Sequence, residues 1–160
     1  MSEKRISDLF DIRARFFRSA QLERDFDDPT AFTGYVVTDF TRTCLERVAG
    51  GLQPGSGQRA WRMTGDYGSG KSSFALLLAH WFAGENIVFP SRLWDSITFS
   101  KFGVKNPNFV PVLVTCSRQA LGTSVLKAIH RTLVAKYSNG QRASIAQTVQ
   151  RLLDAKEEPT

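Results

Sequence analysis

Apolar residues recur along this chain at helical spacing in several stretches and run nearly unbroken in another. Ile6, Leu9, Phe10, Phe16, Phe17 and Ala20 mark a first helix over residues 6–20, its face narrowed by Arg13, Arg15 and Arg18. Asp25, Asp27, Asp28 and Pro29 then signal a turn. A second helix is predicted from Tyr35 to Ala49, with Tyr35, Val36, Phe40, Leu45 and Val48 sharing a face and Thr30 or Thr33 as its cap. It is expected to stop at Gly50-Gly51, where a loop rich in glycine runs to Gln58.

Arg59–Thr64 alternates weakly and predicts a short buried strand. Ser72–Ala83 predicts a helix ended by Gly84. Pro90 and the Ser91–Ile97 stretch suggest one short helix in a longer connection. Phe109–Cys116 (Phe-Val-Pro-Val-Leu-Val-Thr-Cys) reads as a strand covered on both faces, with its proline near the start. Leu121–Tyr137 and Ala143–Ala155 return to helical spacing on either side of a Ser138-Asn139-Gly140 turn. The expected fold class is therefore α/β: the N-terminal part of a parallel-sheet domain preceded by helices. Residues 1–58 form a helical segment and linker, and residues 59–160 begin the sheet domain.

At 160 residues, 42% of them hydrophobic, the chain is long enough for one ordinary core and short for two. The formal charge of +6 favours phosphate-bearing partners in general, but acids are interleaved with the bases, which is the pattern of a mixed solvated surface. Cys44 and Cys116 make no disulfide framework and read as reduced thiols. His80 and His130 have no metal-ligand companion nearby and read as packing or surface residues. There is no apolar run of membrane-spanning length and no secretory h-region, so a cytoplasmic protein is expected.

One motif carries chemistry. Gly65-Asp66-Tyr67-Gly68-Ser69-Gly70-Lys71-Ser72 fits GxxxxGK[ST], the Walker A loop. Glycine lets the backbone approach phosphate closely, and amides from about residue 67 to 72 point inward as an anion nest. A helix opening near Lys71 adds its positive dipole end. Lys71 is expected on the β- and γ-phosphates, Ser72 on Mg²⁺ and Ser73 on the α-phosphate. The cofactors implied are ATP and Mg²⁺, and the site is the run Gly65, Asp66, Tyr67, Gly68, Ser69, Gly70, Lys71, Ser72 and Ser73.

The spelling GxxGxGKS resembles the loop of AAA+ and related STAND-type ATPases, which implies that the α/β domain is a P-loop NTPase and that residues 59–160 are the N-terminal part of its ATPase domain. Phe109–Ser117, the stretch Arg118–Ser124 and the helix through Leu133 are similar to the second strand and helix of origin-recognition-complex-like ATPases. Phe16–Phe26 and the helix from Tyr35 are similar to the segment those proteins place before their first strand. Phe-Phe-Arg-Ser-Ala at 16–20 and the run from Arg59 to Ser73 also resemble large bacterial ATPases of phage-defence islands of the BREX type. The resemblance implies nucleotide-driven conformational or assembly change, with DNA or other subunits of a defence or ATPase complex as partners, oligomers included, and no membrane.

The chain departs from that family in one respect. Phe109–Cys116 ends in Thr115-Cys116-Ser117 without the acid pair of a Walker B strand, and Asp154, Glu157 and Glu158 fall in or after a helical pattern. No sensor residue or arginine finger can be placed, and Arg118 is the nearest approach to a charge stabiliser. No catalytic residue is therefore assigned, and the expectation is the amino-terminal part of a longer ATPase or a truncated reading frame. A small-molecule kinase and a non-catalytic nucleotide- or nucleic-acid-binding module are the alternatives. Arg13, Arg15, Arg18 and Arg24 offer the latter a basic surface.

Overall fold

The structure is a computed structural model that describes residues 20–84, 91–105, 109–115, 118–137 and 140–157. The helix expected over 6–20 lies outside the described residues but for Ala20. Among the described residues six α-helices follow one another: α1 (Leu22–Asp25), α2 (Asp39–Leu52), α3 (Lys71–Ala83), α4 (Ser91–Ile97), α5 (Leu121–Lys136) and α6 (Gln141–Glu157), with a 3-10 turn at Phe99–Phe102 after α4.

The parallel-sheet α/β expectation is corrected. No strand occurs among the described residues. Arg59–Thr64 forms no regular structure and is exposed at every position, and its backbone groups have no hydrogen-bond partner among the described residues. In the described part of the other expected strand, 109–115, the Phe109 amide donates to the Phe82 carbonyl at 2.8 Å, and the Thr115 amide donates to a Glu23 carboxylate oxygen at 3.1 Å. Arg131 also donates to the Leu113 carbonyl at 3.0 Å. An apolar run sets which side chains seek burial, but a strand exists only when a second backbone lies alongside to complete the ladder. Here none does.

Helix α2 starts later than the apolar pattern implies. Thr38, not Thr30 or Thr33, caps it, its hydroxyl accepting from the Thr41 amide at 3.1 Å. The helix also runs through Gly50-Gly51 to Leu52. Gly51 is held there by a close approach, since a Cβ on it would meet the Gln58 carbonyl oxygen at 2.6 Å and the Trp61 ring at 3.1 Å.

Helix α3 ends as expected at Gly84, in the left-handed region at φ 70°. It is apolar nearly all round, as suits a helix enclosed by others. Leu77 and Trp81 are fully buried, and they join Leu45 and Val48 of α2, Phe32, and Leu93 and Ile97 of α4 in one core. The Trp81 ring stacks on Phe99 at 4.1 Å, and its Nε1 donates to the Ile97 carbonyl. His80 is buried with its ring stacked on Phe26 at 4.1 Å, a packing role. Helices α5 and α6 pack on each other around Ala128, Ala146, Val149 and Leu153, a separate small core. No helix among the described residues is long and apolar enough to cross a membrane.

Candidate nucleotide-binding site

The Walker A run forms a loop that feeds directly into α3. Gly68 and Gly70 both take φ near 81°, a conformation in which a side chain is strained. Gly70 is the residue before the helix, and the Phe74 amide already donates to its carbonyl at 2.9 Å. The amides of Lys71, Ser72 and Ser73 therefore begin the helix without an earlier carbonyl to bond within it. A turn closed by the Ser69 amide on the Asp66 carbonyl, at 3.3 Å, folds the loop back.

Lys71 reaches across this turn. Its ammonium donates to the Gly65 carbonyl at 2.8 Å, to the Asp66 carbonyl and to the Ser69 hydroxyl at 3.3 Å. The side chain therefore points back over the loop, away from the α2–α3 core. Gly65 is tight: a Cβ there would lie 3.0 Å from the Ser69 hydroxyl oxygen.

A cavity of about 800 Å³ opens beside the loop, within the size range of small-molecule sites. Gly65, Asp66, Ser69, Gly70, Lys71 and Ser73 contribute to its lining. The segment before α2 and α2 itself contribute an apolar wall of Phe32, Tyr35, Val36 and Phe40, which share the lining with Met63 and Phe74. Phe40 and Val36 are 78% and 73% exposed, large apolar groups left on the cavity's rim. Thr38, Thr41 and the half-buried Cys44 add polar atoms to that wall. Burial pushes the Tyr35 phenol above its ordinary pKa, while a hydrogen bond with Thr41 works the other way.

Three residues of the motif stand elsewhere. Tyr67 is 95% exposed, and Tyr67, Gly68 and Ser72 are not part of the cavity lining. Ser72 is exposed on the first turn of α3. No group of three or more His, Cys, Asp or Glu side chains suited to a metal ion occurs among the described residues. Arg118 is exposed and lies outside the lining.

Sequence reasoning missed two carboxylates in the cavity wall, Asp25 and Asp28. They read as a turn signal, and only the folded chain brings them into one cavity lining with the loop. Both are engaged locally. Asp25 is 7% exposed and accepts from the Gln21 amide at 2.9 Å and from Arg24 at 2.7 Å. Asp28 accepts from the Thr30 amide and hydroxyl at 2.8 and 2.7 Å. The Asp25 carboxylate in turn raises the Arg24 pKa through that hydrogen bond.

No protein-family model, no curated protein and no solved structure matches the chain.

Proposed function

We propose that this chain binds a nucleoside triphosphate with Mg²⁺, ATP foremost, in the cavity beside the Gly65–Ser73 loop. The observation that carries the reading is the lining of that cavity, which combines Lys71 and the start of α3 with exposed aromatic and aliphatic side chains. A triphosphate is a polyanion with a flat apolar base attached, and the cationic and apolar parts of the lining suit its two parts. Loop amides, the helix dipole and Lys71 would hold the phosphates. Tyr35, Val36 and Phe40 would hold the base by burial of apolar surface. Ser72 would supply a hydroxyl to the metal. Bound Mg²⁺ would neutralise phosphate charge.

Binding is a stronger reading than turnover. Hydrolysis needs a carboxylate or similar group placed to orient water, whereas Asp25 and Asp28 are committed to neighbouring amides, an arginine and a hydroxyl, and the third lining carboxylate, Asp66, belongs to the proposed phosphate loop itself. We further propose that this binding belongs to an ATPase of the AAA+ or STAND type. Its nucleotide state would drive a conformational or assembly change in DNA transactions or phage defence, with DNA or other subunits as partners.

Calorimetric titration of ATP and GTP with Mg²⁺ tests the reading. Saturable ATP binding that Lys71→Ala abolishes supports it. Absence of binding in the wild type, or equal binding in the variant, overturns it.

A further inference from the structure

The cavity wall and the α5–α6 hairpin meet at one side chain. Glu23 sits on α1, between cavity-lining Ala20 and Asp25. Its carboxylate pairs with Arg131 of α5 at 3.0 Å and accepts from the Thr115 amide at 3.1 Å. Arg131 also donates to the Leu113 carbonyl at 3.0 Å. One carboxylate thus joins three pieces: the wall beside the loop, the extended segment 109–115, and the hairpin.

Among the described residues the hairpin has few other anchors. Its core of Ala128, Ala146, Val149 and Leu153 shares no residue with the main core. Segment 109–115 leans on it through Val110 and Val112 against Ile129 and Leu133, around a small apolar cavity of about 230 Å³. That segment reaches the main body at the Phe109–Phe82 contact and at Glu23. Helix α1 is itself only four residues long, too short to hold its shape by its own hydrogen bonds. It is held from the cavity side by packing and by Asp25 on the Gln21 amide, and from the hairpin side by Glu23.

We infer that occupancy of the cavity and docking of the α5–α6 hairpin are coupled through Glu23, so that nucleotide binding tightens the hairpin on the main body. The inference rests on the nucleotide reading above. A ligand against Ala20, Asp25 and Phe32 orders the wall that carries Glu23. The Glu23–Arg131 pair then forms from a carboxylate already in place, at smaller entropic cost. Linkage makes the effect reciprocal: the docked hairpin favours the filled cavity by the same factor. Because the pair is partly exposed, that factor is small, about twofold to fivefold.

Hydrogen exchange of the full chain with and without Mg-ATP, beside calorimetry, tests this. In the wild type, ATP slows exchange of the 121–136 amides. Glu23→Gln and Arg131→Met each still bind ATP, about twofold to fivefold more weakly, and ATP no longer slows those amides. Lys71→Ala separates the two ideas, since it removes binding and leaves ligand-free exchange of the hairpin as in the wild type. Two outcomes overturn the coupling alone: ATP bound by the wild type with no change over 121–136, or slowing in both variants equal to the wild type. Absence of ATP binding by the wild type overturns the nucleotide reading and the coupling with it.

Discussion

The Lys71 ammonium lies 2.8 Å from the carbonyl oxygen of Gly65, six residues earlier in the chain. That bond, with its companions at Asp66 and Ser69, draws the loop closed on itself. Lys71 also lines the cavity beside the loop. The three donors of its ammonium are taken up by the loop, so a triphosphate bound there would replace the carbonyl and hydroxyl acceptors with phosphate oxygens.

Two adjacent glycines of α2 behave oppositely. A Cβ on Gly51 meets the Gln58 carbonyl oxygen at 2.6 Å, backbone that cannot step aside, while a Cβ on Gly50 meets nothing within 4 Å. Gly51→Ala is expected to destabilise the protein by about 1–3 kcal/mol through overpacking. Gly50→Ala is expected to stabilise it by about 0.5–1 kcal/mol, because alanine loses less backbone entropy in a helix. Denaturant melts of the two variants check this, and equal shifts in both would contradict it.

Much of the helical structure was legible in the sequence. The leucines and aromatics of 72–83 and the spacing through Leu126 and Leu133 mark α3 and α5, because a helix makes its own backbone bonds and shows its burial as a local period. Gly84 gave the stop of α3 for the same local reason. The strands did not follow from Arg59–Thr64 and Phe109–Cys116, because strand formation depends on a neighbouring backbone that no local pattern records. The site divides likewise. The loop residues that line the cavity are contiguous and fall within Gly65–Ser73, whereas its apolar wall of Phe32, Tyr35, Val36 and Phe40 and the carboxylates of Asp25 and Asp28 come from a distant stretch and needed the fold. The cap at Thr38 was missed because Thr30 and Thr33 offer the same chemistry a few residues earlier.

The metal role assigned to Ser72 predicts a metal-dependent loss. Its side chain is exposed on the first turn of α3, so Ser72→Ala is expected to leave thermal stability unchanged. Affinity for Mg-ATP should fall by more than affinity for ATP in a chelator. Calorimetry with and without Mg²⁺ reads the difference, and equal losses would remove Ser72 from the metal.

Acidification should loosen the Glu23 junction. Partial burial raises the Glu23 pKa, but the hydrogen bond from Arg131, the Thr115 amide and the Arg131 charge together outweigh it and hold it below its ordinary value of 4.5. A carboxyl whose pKa is lower folded than unfolded stabilises the fold fully above its unfolded value, and that contribution is lost as pH falls through the folded value. Wild type should therefore lose more stability than Glu23→Gln as pH drops below about 4.5. Parallel denaturation curves across that window check the sign, and coincident slopes would show that the pair does not contribute.

The central claim is that Lys71 and the loop it closes form the phosphate end of a nucleotide site. Titration of Mg-ATP into the wild type and into Lys71→Ala, each confirmed folded by its melting curve, tests it most directly. The predicted result is saturable binding in the wild type and the loss of most of that affinity in the variant, with both melting alike without ligand. Equal affinity in the two proteins, or no binding in either, would contradict it.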